Sequence, residues 1–382
     1  MDKIILKGIT WGHSRGITPL LAAAQRFSEF HPNVEINWTK RTLQEFADFP
    51  IEKLTTQYDL LIIDHPWVGC AAATKCVLPL DEYLDKEYLE DQLKNSVGHS
   101  HLSYHYEGHQ WALAIDAATP VASFRADLLH SNNVPVPRTW QEVINLAGKK
   151  RLAIPSIPID LLMNFYMFCM AHGCEPFLTA DEVIDRETGL KVLDSMEALW
   201  SLVDRKMFGY NPIDIAELMS STDDYWYCPF TYGYSNYSRR GYAKSVLTYA
   251  DLVKFKGNHR LRSTIGGTGL AISAFTNNKE WATRFAAWIV SPEIQCTLYV
   301  QNGGQPGHRS AWNDEMTNGY CNNFFLNTLT ALDNAYLRPR YNGYLYFQDH
   351  AGIFLQNFLL NGGHPEKVLE EINELYRNSK QL

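Results

Sequence analysis

Apolar positions in this chain form short alternating or continuous runs, separated by longer stretches with helical spacing. Ile4 to Trp11 alternates and ends at a turn. Ile17, Leu20, Leu21, Ala24, Phe27 and Phe30 then recur at helical intervals, with Thr18-Pro19 placed to open that helix. His31-Pro32-Asn33 stops it, and Val34 to Trp38 reads as a second strand. Leu60 to Ile63 is wholly apolar, as expected of a strand covered on both faces. Strand, helix, strand, helix, strand predicts a parallel α/β unit.

Further along, Trp111 to Ala118 reads as another strand, and Thr139 is placed to cap a helix carrying Trp140 and Val143. Helical spacing continues over Asp160 to His172 and Gly189 to Lys206. Ser263 to Ser273 reads as a buried strand with a glycine run, followed by a helix from Lys279 to Val290. Ser291-Pro292-Glu293 restarts a helix, with Ser as cap and Pro in the first turn. The chain breaks again at Asn302-Gly303-Gly304-Gln305-Pro306. Asp349 to Leu360 and an amphipathic stretch from Pro365 to Tyr376 close it.

At 382 residues the chain is too long for one ordinary core and suits two. With 46% hydrophobic and 20% charged residues it is globular and not disordered. Its net charge of -8, with no run of Lys or Arg, argues against a nucleic-acid partner. No stretch approaches the apolar length that spans a bilayer. The first residues run straight into a strand, so the sequence reads either as a mature form after removal of a leader or as a cytoplasmic protein. Seven cysteines without a C-x-x-C pair do not form a disulfide framework and lean toward a reducing compartment.

The order from Ser263 to Pro306 resembles the second crossover of the family 1 extracellular solute-binding proteins, the maltose-binding-protein-like, sugar-binding subunits of ABC importers. Phe124-Arg125-Ala126-Asp127-Leu128-Leu129, followed by Pro137-Arg138-Thr139-Trp140-Gln141-Glu142, resembles that family's entry to a second lobe. The resemblance implies an α/β, periplasmic binding protein-like type II fold: two α/β lobes with a hinge and a ligand cleft between them. It implies lobe 1 from residues 1–117 and 265–309, and lobe 2 from 118–264 and 310–382. It implies capture of a small polar ligand, a sugar or sugar acid, by hinge closure, with no catalysis, cofactor or metal. The partners implied are that ligand and ABC permease subunits, for a monomeric protein in the periplasm or at the cell surface.

Candidate ligand residues follow from position. The first strand ends at Trp11-Gly12-His13-Ser14-Arg15-Gly16, where a helix N-terminus favours polar oxygens. Ligands of open α/β sheets bind outside the carboxyl ends of strands, so Trp11, His13, Ser14 and Arg15 are candidates. Asp64 and His65 follow the third strand, where Asp64 reads equally as a helix cap. Asp116 lies next to the expected hinge. Tyr225 to Tyr237 is dense in aromatics, and resemblance points to Tyr232, Tyr234 and Asn236 as sugar contacts, with the rest of the cluster in the core. Gly267 and Thr268 belong to a run that lacks the Lys-Ser/Thr of a phosphate loop and instead allows close backbone approach. Gln305 lies on the return crossover.

The rival reading is a serine hydrolase. Gly12-His13-Ser14-Arg15-Gly16 matches the nucleophile-elbow pattern, although no oxyanion-type glycine loop precedes it. His99, His101, His105 and His109 form a histidine-dense patch in which, if helical, His101, His105 and His109 would share a face as metal ligands do, but Glu107-Gly108 reads as a hairpin turn that breaks it.

Overall fold

The computed structural model describes residues 3–43, 45 and 50–382. In chain order its main elements are β1 (Ile4–Trp11), α1 (Ser14–Phe30), β2 (Val34–Arg41), β3 (Leu60–Ile63), β4 (Leu113–Ala118) and β5 (Pro120–Phe124). There follow α2 (Trp140–Gly148), α3 (Pro158–Ala171), α4 (Arg186–Trp200), α5 (Pro212–Ser221), β6 (Tyr227–Tyr232) and β7 (Thr248–Ala250). The last are β8 (Gly266–Ile272), α6 (Lys279–Ile289), α7 (Tyr344–Asn361) and α8 (Pro365–Ser379).

The chain divides into two compact units. The first takes residues through Ala118, Ile265–Leu326 and Arg340–Asn342; the second takes Thr119–Thr264, Asn327–Pro339 and Gly343–Leu382. Residues 310–326, expected in the second lobe, thus group with the first unit. Trp312 Nε1 donates to the Pro306 carbonyl at 2.7 Å and Thr317 Oγ1 to the Cys296 carbonyl at 3.3 Å, which ties this stretch to the return crossover.

The first unit is built on a five-stranded sheet in the order β2-β1-β3-β8-β4. β1 runs parallel to β2 and β3, while β8 runs antiparallel to both β3 and β4. The parallel reading of the first strands is therefore correct, and β8 enters in the opposite sense between two of them. Leu6, Leu60, Ile62, Leu113, Ile115, Leu270 and Ile272 pack in one core with Leu20, Ala24 and Phe27 of α1 and Phe285 and Ile289 of α6. Phe27 and Phe285 meet edge to face at 5.2 Å.

α1 starts one turn earlier than the Thr18-Pro19 pair predicts. His13 is its cap, the imidazole Nδ1 accepting from the Arg15 amide at 3.0 Å, and Pro19 sits inside the helix. Capping by His13 satisfies a first-turn N–H that Pro19 could not. Ser291 does cap Pro292–Ile294, as expected. Beyond it, Gln295 joins two crossover segments, donating to the Ile289 carbonyl at 3.1 Å and accepting from the Gly307 amide at 2.8 Å.

The second unit holds a three-stranded antiparallel sheet in the order β6-β5-β7. Thr139 and Glu142 form a reciprocal capping box that opens α2, the basis of the P-x-T-W-x-E pattern. α3 is apolar nearly all round and buried from Asp160 to Cys169, as befits a helix enclosed on every side. His105–Tyr106 and His109–Gln110 pair as a hairpin through Glu107-Gly108, so the histidines do not share a helical face. No disulfide joins any of the seven cysteines. Among the described residues, no helix is long and apolar enough to cross a membrane.

Candidate ligand-binding site

In the first unit the candidates gather along one edge of the sheet. β1 and β3 end there, at Trp11 and Ile63. β8 begins there, because it runs antiparallel, and pairs Gly267 with Ala117 and Thr268 with Asp116. This is the carboxyl edge of the parallel strands, where open α/β sheets take their ligands.

The side chains on that edge are not equally available. Trp11 is 4% exposed and belongs to the hydrophobic core. A Cβ on Gly16 would lie 2.4 Å from its ring, so glycine is what lets the indole lie flat on α1. The stacking role expected of Trp11 meets a ring already packed. Arg15 and Asp116 are both buried and form a bidentate pair, Nε to Oδ2 at 2.9 Å and Nη2 to Oδ1. Burial raises the Asp116 carboxyl above its ordinary range, and the Arg15 charge pulls against that shift. These two groups staple β4 to the start of α1. Gln305 is buried as well, its amide donating to the Ala117 carbonyl at 2.8 Å. Gly267 has φ +100°, and a Cβ there would sit 2.3 Å from the Asp116 carbonyl oxygen. It permits the close strand approach that the sequence suggested.

Asp64 is half-buried and accepts from the His65 amide at 2.8 Å, capping the short turn His65–Trp67. His65 itself is buried. His13 and Ser14 are half-buried at the head of α1. Burial first, and the Arg15 charge second, lower the His13 pKa to about 4, so its ring is neutral at pH 7. Thr268 is 4% exposed and its Oγ1 has no hydrogen-bond partner. A buried hydroxyl in that state is a standing offer of a hydrogen bond.

In the second unit, Tyr232 ends β6, half-buried, with its hydroxyl 2.9 Å from Thr264 Oγ1. Tyr234 and Asn236 are buried in the turn that follows, and Asn236 Oδ1 has no hydrogen-bond partner. Most other rings of the aromatic run are core: Tyr225, Tyr227, Phe230 and Tyr237 are buried. Tyr237 donates to Glu217 Oε1 at 2.7 Å.

Sequence reasoning missed Asp160 and Asn164 on α3. Both are buried, and Asp160 Oδ2 and Asn164 Nδ2 lack hydrogen-bond partners. A polar pair four residues apart inside the apolar run Pro158–Cys169 was the available signal. Burial, then the charge of Asp214, push the Asp160 carboxyl up to about 8. The folded protein therefore keeps a proton that the unfolded chain releases near the ordinary carboxylate value of about 3.9. Stability from this group is present in full below about pH 4 and is lost as pH rises toward about 8. The melting temperature should fall by several degrees from pH 5 to pH 8, and Asp160→Asn should flatten that dependence. An unchanged slope in the variant would remove Asp160 as its source.

No family model matches the chain. Its structure is similar to maltose-bound MalE3 of T. maritima, with 19% identity, a TM-score of 0.85, and coverage of 98% of this chain and 99% of that one. It is also similar to the ABC transporter solute-binding protein of Agrobacterium radiobacter K84 in complex with ribitol. There the identity is 21%, the TM-score 0.83 and the coverage 99% of each chain. This is the solute-binding-protein fold. A third likeness, to the Thermus thermophilus maltotriose-binding protein, has 18% identity, a TM-score of 0.80, and coverage of 98% and 99%. The α/β, periplasmic binding protein-like class expected from the sequence is thus the class found. At these identities the solute-binding-protein fold is what the likeness carries, and the residues above carry the chemistry.

Proposed function

We propose that the chain binds a small polar ligand, a carbohydrate, as the solute-binding component of an ABC importer. The carrying observation is the alignment of His13, Ser14, Asp64, Gly267 and Thr268 along the carboxyl edge of a sheet. That sheet has the fold of proteins solved with maltose, ribitol and maltotriose. Thr268 supports the reading with an unused buried hydroxyl, and Asn236 of the second unit with an unused buried carbonyl oxygen. Tyr232 offers a ring and a hydroxyl to a sugar face. The reading includes ABC permease subunits as partners, work in the periplasm or at the cell surface, and no catalytic step.

A ligand held only by the folded protein stabilises it by roughly 2.7 kcal/mol at a hundredfold excess over its Kd. A thermal-shift screen of mono- and oligosaccharides, polyols and sugar acids should give a hit of several degrees. A clear hit for an amino acid or acyl compound, with none for any sugar or polyol, would overturn the assignment. The hydrolase reading has its own test: stoichiometric labelling of Ser14 by a fluorophosphonate, lost in Ser14→Ala, would replace binding with catalysis.

A further inference from the structure

We propose that Asp160 and Asn164, one turn apart on α3, together receive a single hydroxyl group of the ligand. The inference rests on the carbohydrate reading above. Residues i and i+4 share a helix face, so the two side chains stand over one another. Asp160 is 6% exposed and Asn164 is 3% exposed, and neither Asp160 Oδ2 nor Asn164 Nδ2 has a hydrogen-bond partner. Buried polar atoms are normally satisfied, and two orphans on one helix face point to a group that completes them.

Their chemistry selects that group. With the carboxyl proton that burial retains placed on Oδ1, Asp160 Oδ2 accepts and Asn164 Nδ2 donates. A hydroxyl has one donor and two lone pairs, so one O–H satisfies both at once. A cationic group would find no counter-charge on the neutral carboxyl and would leave the amide donor unmet; an anionic group would leave Asp160 Oδ2 without a donor. Charge also speaks against an anion, because Asp214 lies close enough to disfavour ionisation of Asp160. Cys228 of β6 also feels Asp160 and is itself pushed up by burial, so it brings no charge of its own.

Ser156 and Asp214 are already occupied. Ser156 donates to the Ile154 carbonyl at 3.0 Å and accepts from Trp200 Nε1 at 2.8 Å. Asp214 accepts from the Asn211 amide at 2.9 Å. At the start of α3, Ile157, Pro158 and Ile159 are half-buried and no side chain caps the helix. The orphaned pair begins one residue further in.

The test uses the full chain with maltose, ribitol and tagatose as probes, measured by calorimetry. Asn164→Leu keeps similar volume and removes the donor, while Asp160→Ala removes the acceptor, so failure of one variant to fold leaves the other. Each variant that folds should bind the best probe roughly tenfold more weakly. Among monodeoxy analogues of that probe, one should bind the unaltered protein roughly tenfold more weakly and be insensitive to Asn164→Leu. Unchanged affinity with a lowered melting temperature would assign the pair to a buried water and overturn the inference alone. Equal sensitivity of all deoxy analogues to Asn164→Leu would overturn it too. An unaltered protein that binds none of the probes overturns this inference together with the carbohydrate reading.

Discussion

Asp116→Ala should cost the first unit about 3–5 kcal/mol of stability, because it leaves the Arg15 guanidinium buried without its carboxylate. The pair lies inside the protein, with both side chains at 5% exposure or less. Removing one partner leaves an uncompensated charge in a medium of low polarity, whereas removing both does not. Arg15→Met combined with Asp116→Leu should therefore recover most of the loss seen in the single variant. Urea unfolding followed by tryptophan fluorescence reads this directly, since Trp11 and Trp281 belong to the same unit as the pair. A single variant as stable as the parent would show that the ion pair does not bind the β4 strand to α1. A double variant worse than either single one would assign the stability to the shape of the groups and not to their charges.

Trp11→Ala should cost a similar amount, about 3–5 kcal/mol, by leaving a cavity where an indole packs against α1. The ring lies against Gly16 and within the apolar cluster of the first unit. Tyr232→Ala should cost less, because that ring is half-buried at the end of its strand and its hydroxyl bonds the uncharged hydroxyl of Thr264. If Tyr232 stacks on the ligand, its truncation should weaken binding by about 2 kcal/mol. The two variants thus separate on two axes: Trp11→Ala in melting temperature, Tyr232→Ala in affinity. A Trp11→Ala protein that melts like the parent but binds far more weakly would return the indole to the ligand and remove it from the core.

Local signals account for much of what was legible. Alternation placed β1, a wholly apolar run placed β3, and Thr139 with Glu142 announced the start of α2, because each depends on neighbours within a few residues. The same logic failed at Thr18-Pro19. A proline near an apolar run suggests a helix start, yet His13 caps the helix a turn earlier. Residues 310–326 group with the first unit for a related reason. Their attachment runs through Trp312 and Thr317 to carbonyls of the return crossover, and no local pattern reports such bonds.

The sequence by itself determined the order of strands and helices, the absence of a basic run, and the fold class, since periodicity and charge are properties of the chain. It also nominated Asp116 and Arg15 as polar groups near a strand end. Only the tertiary structure decided that they neutralise each other across 101 positions of sequence, and so serve the scaffold before any ligand. It likewise decided that Trp11 is core, that most of the tyrosine-rich run is buried, and that Asp160 and Asn164 are left wanting partners inside an apolar helix. Hydrogen bonding and burial are relations between distant residues. A sequence states which groups can form them, and folding selects which do.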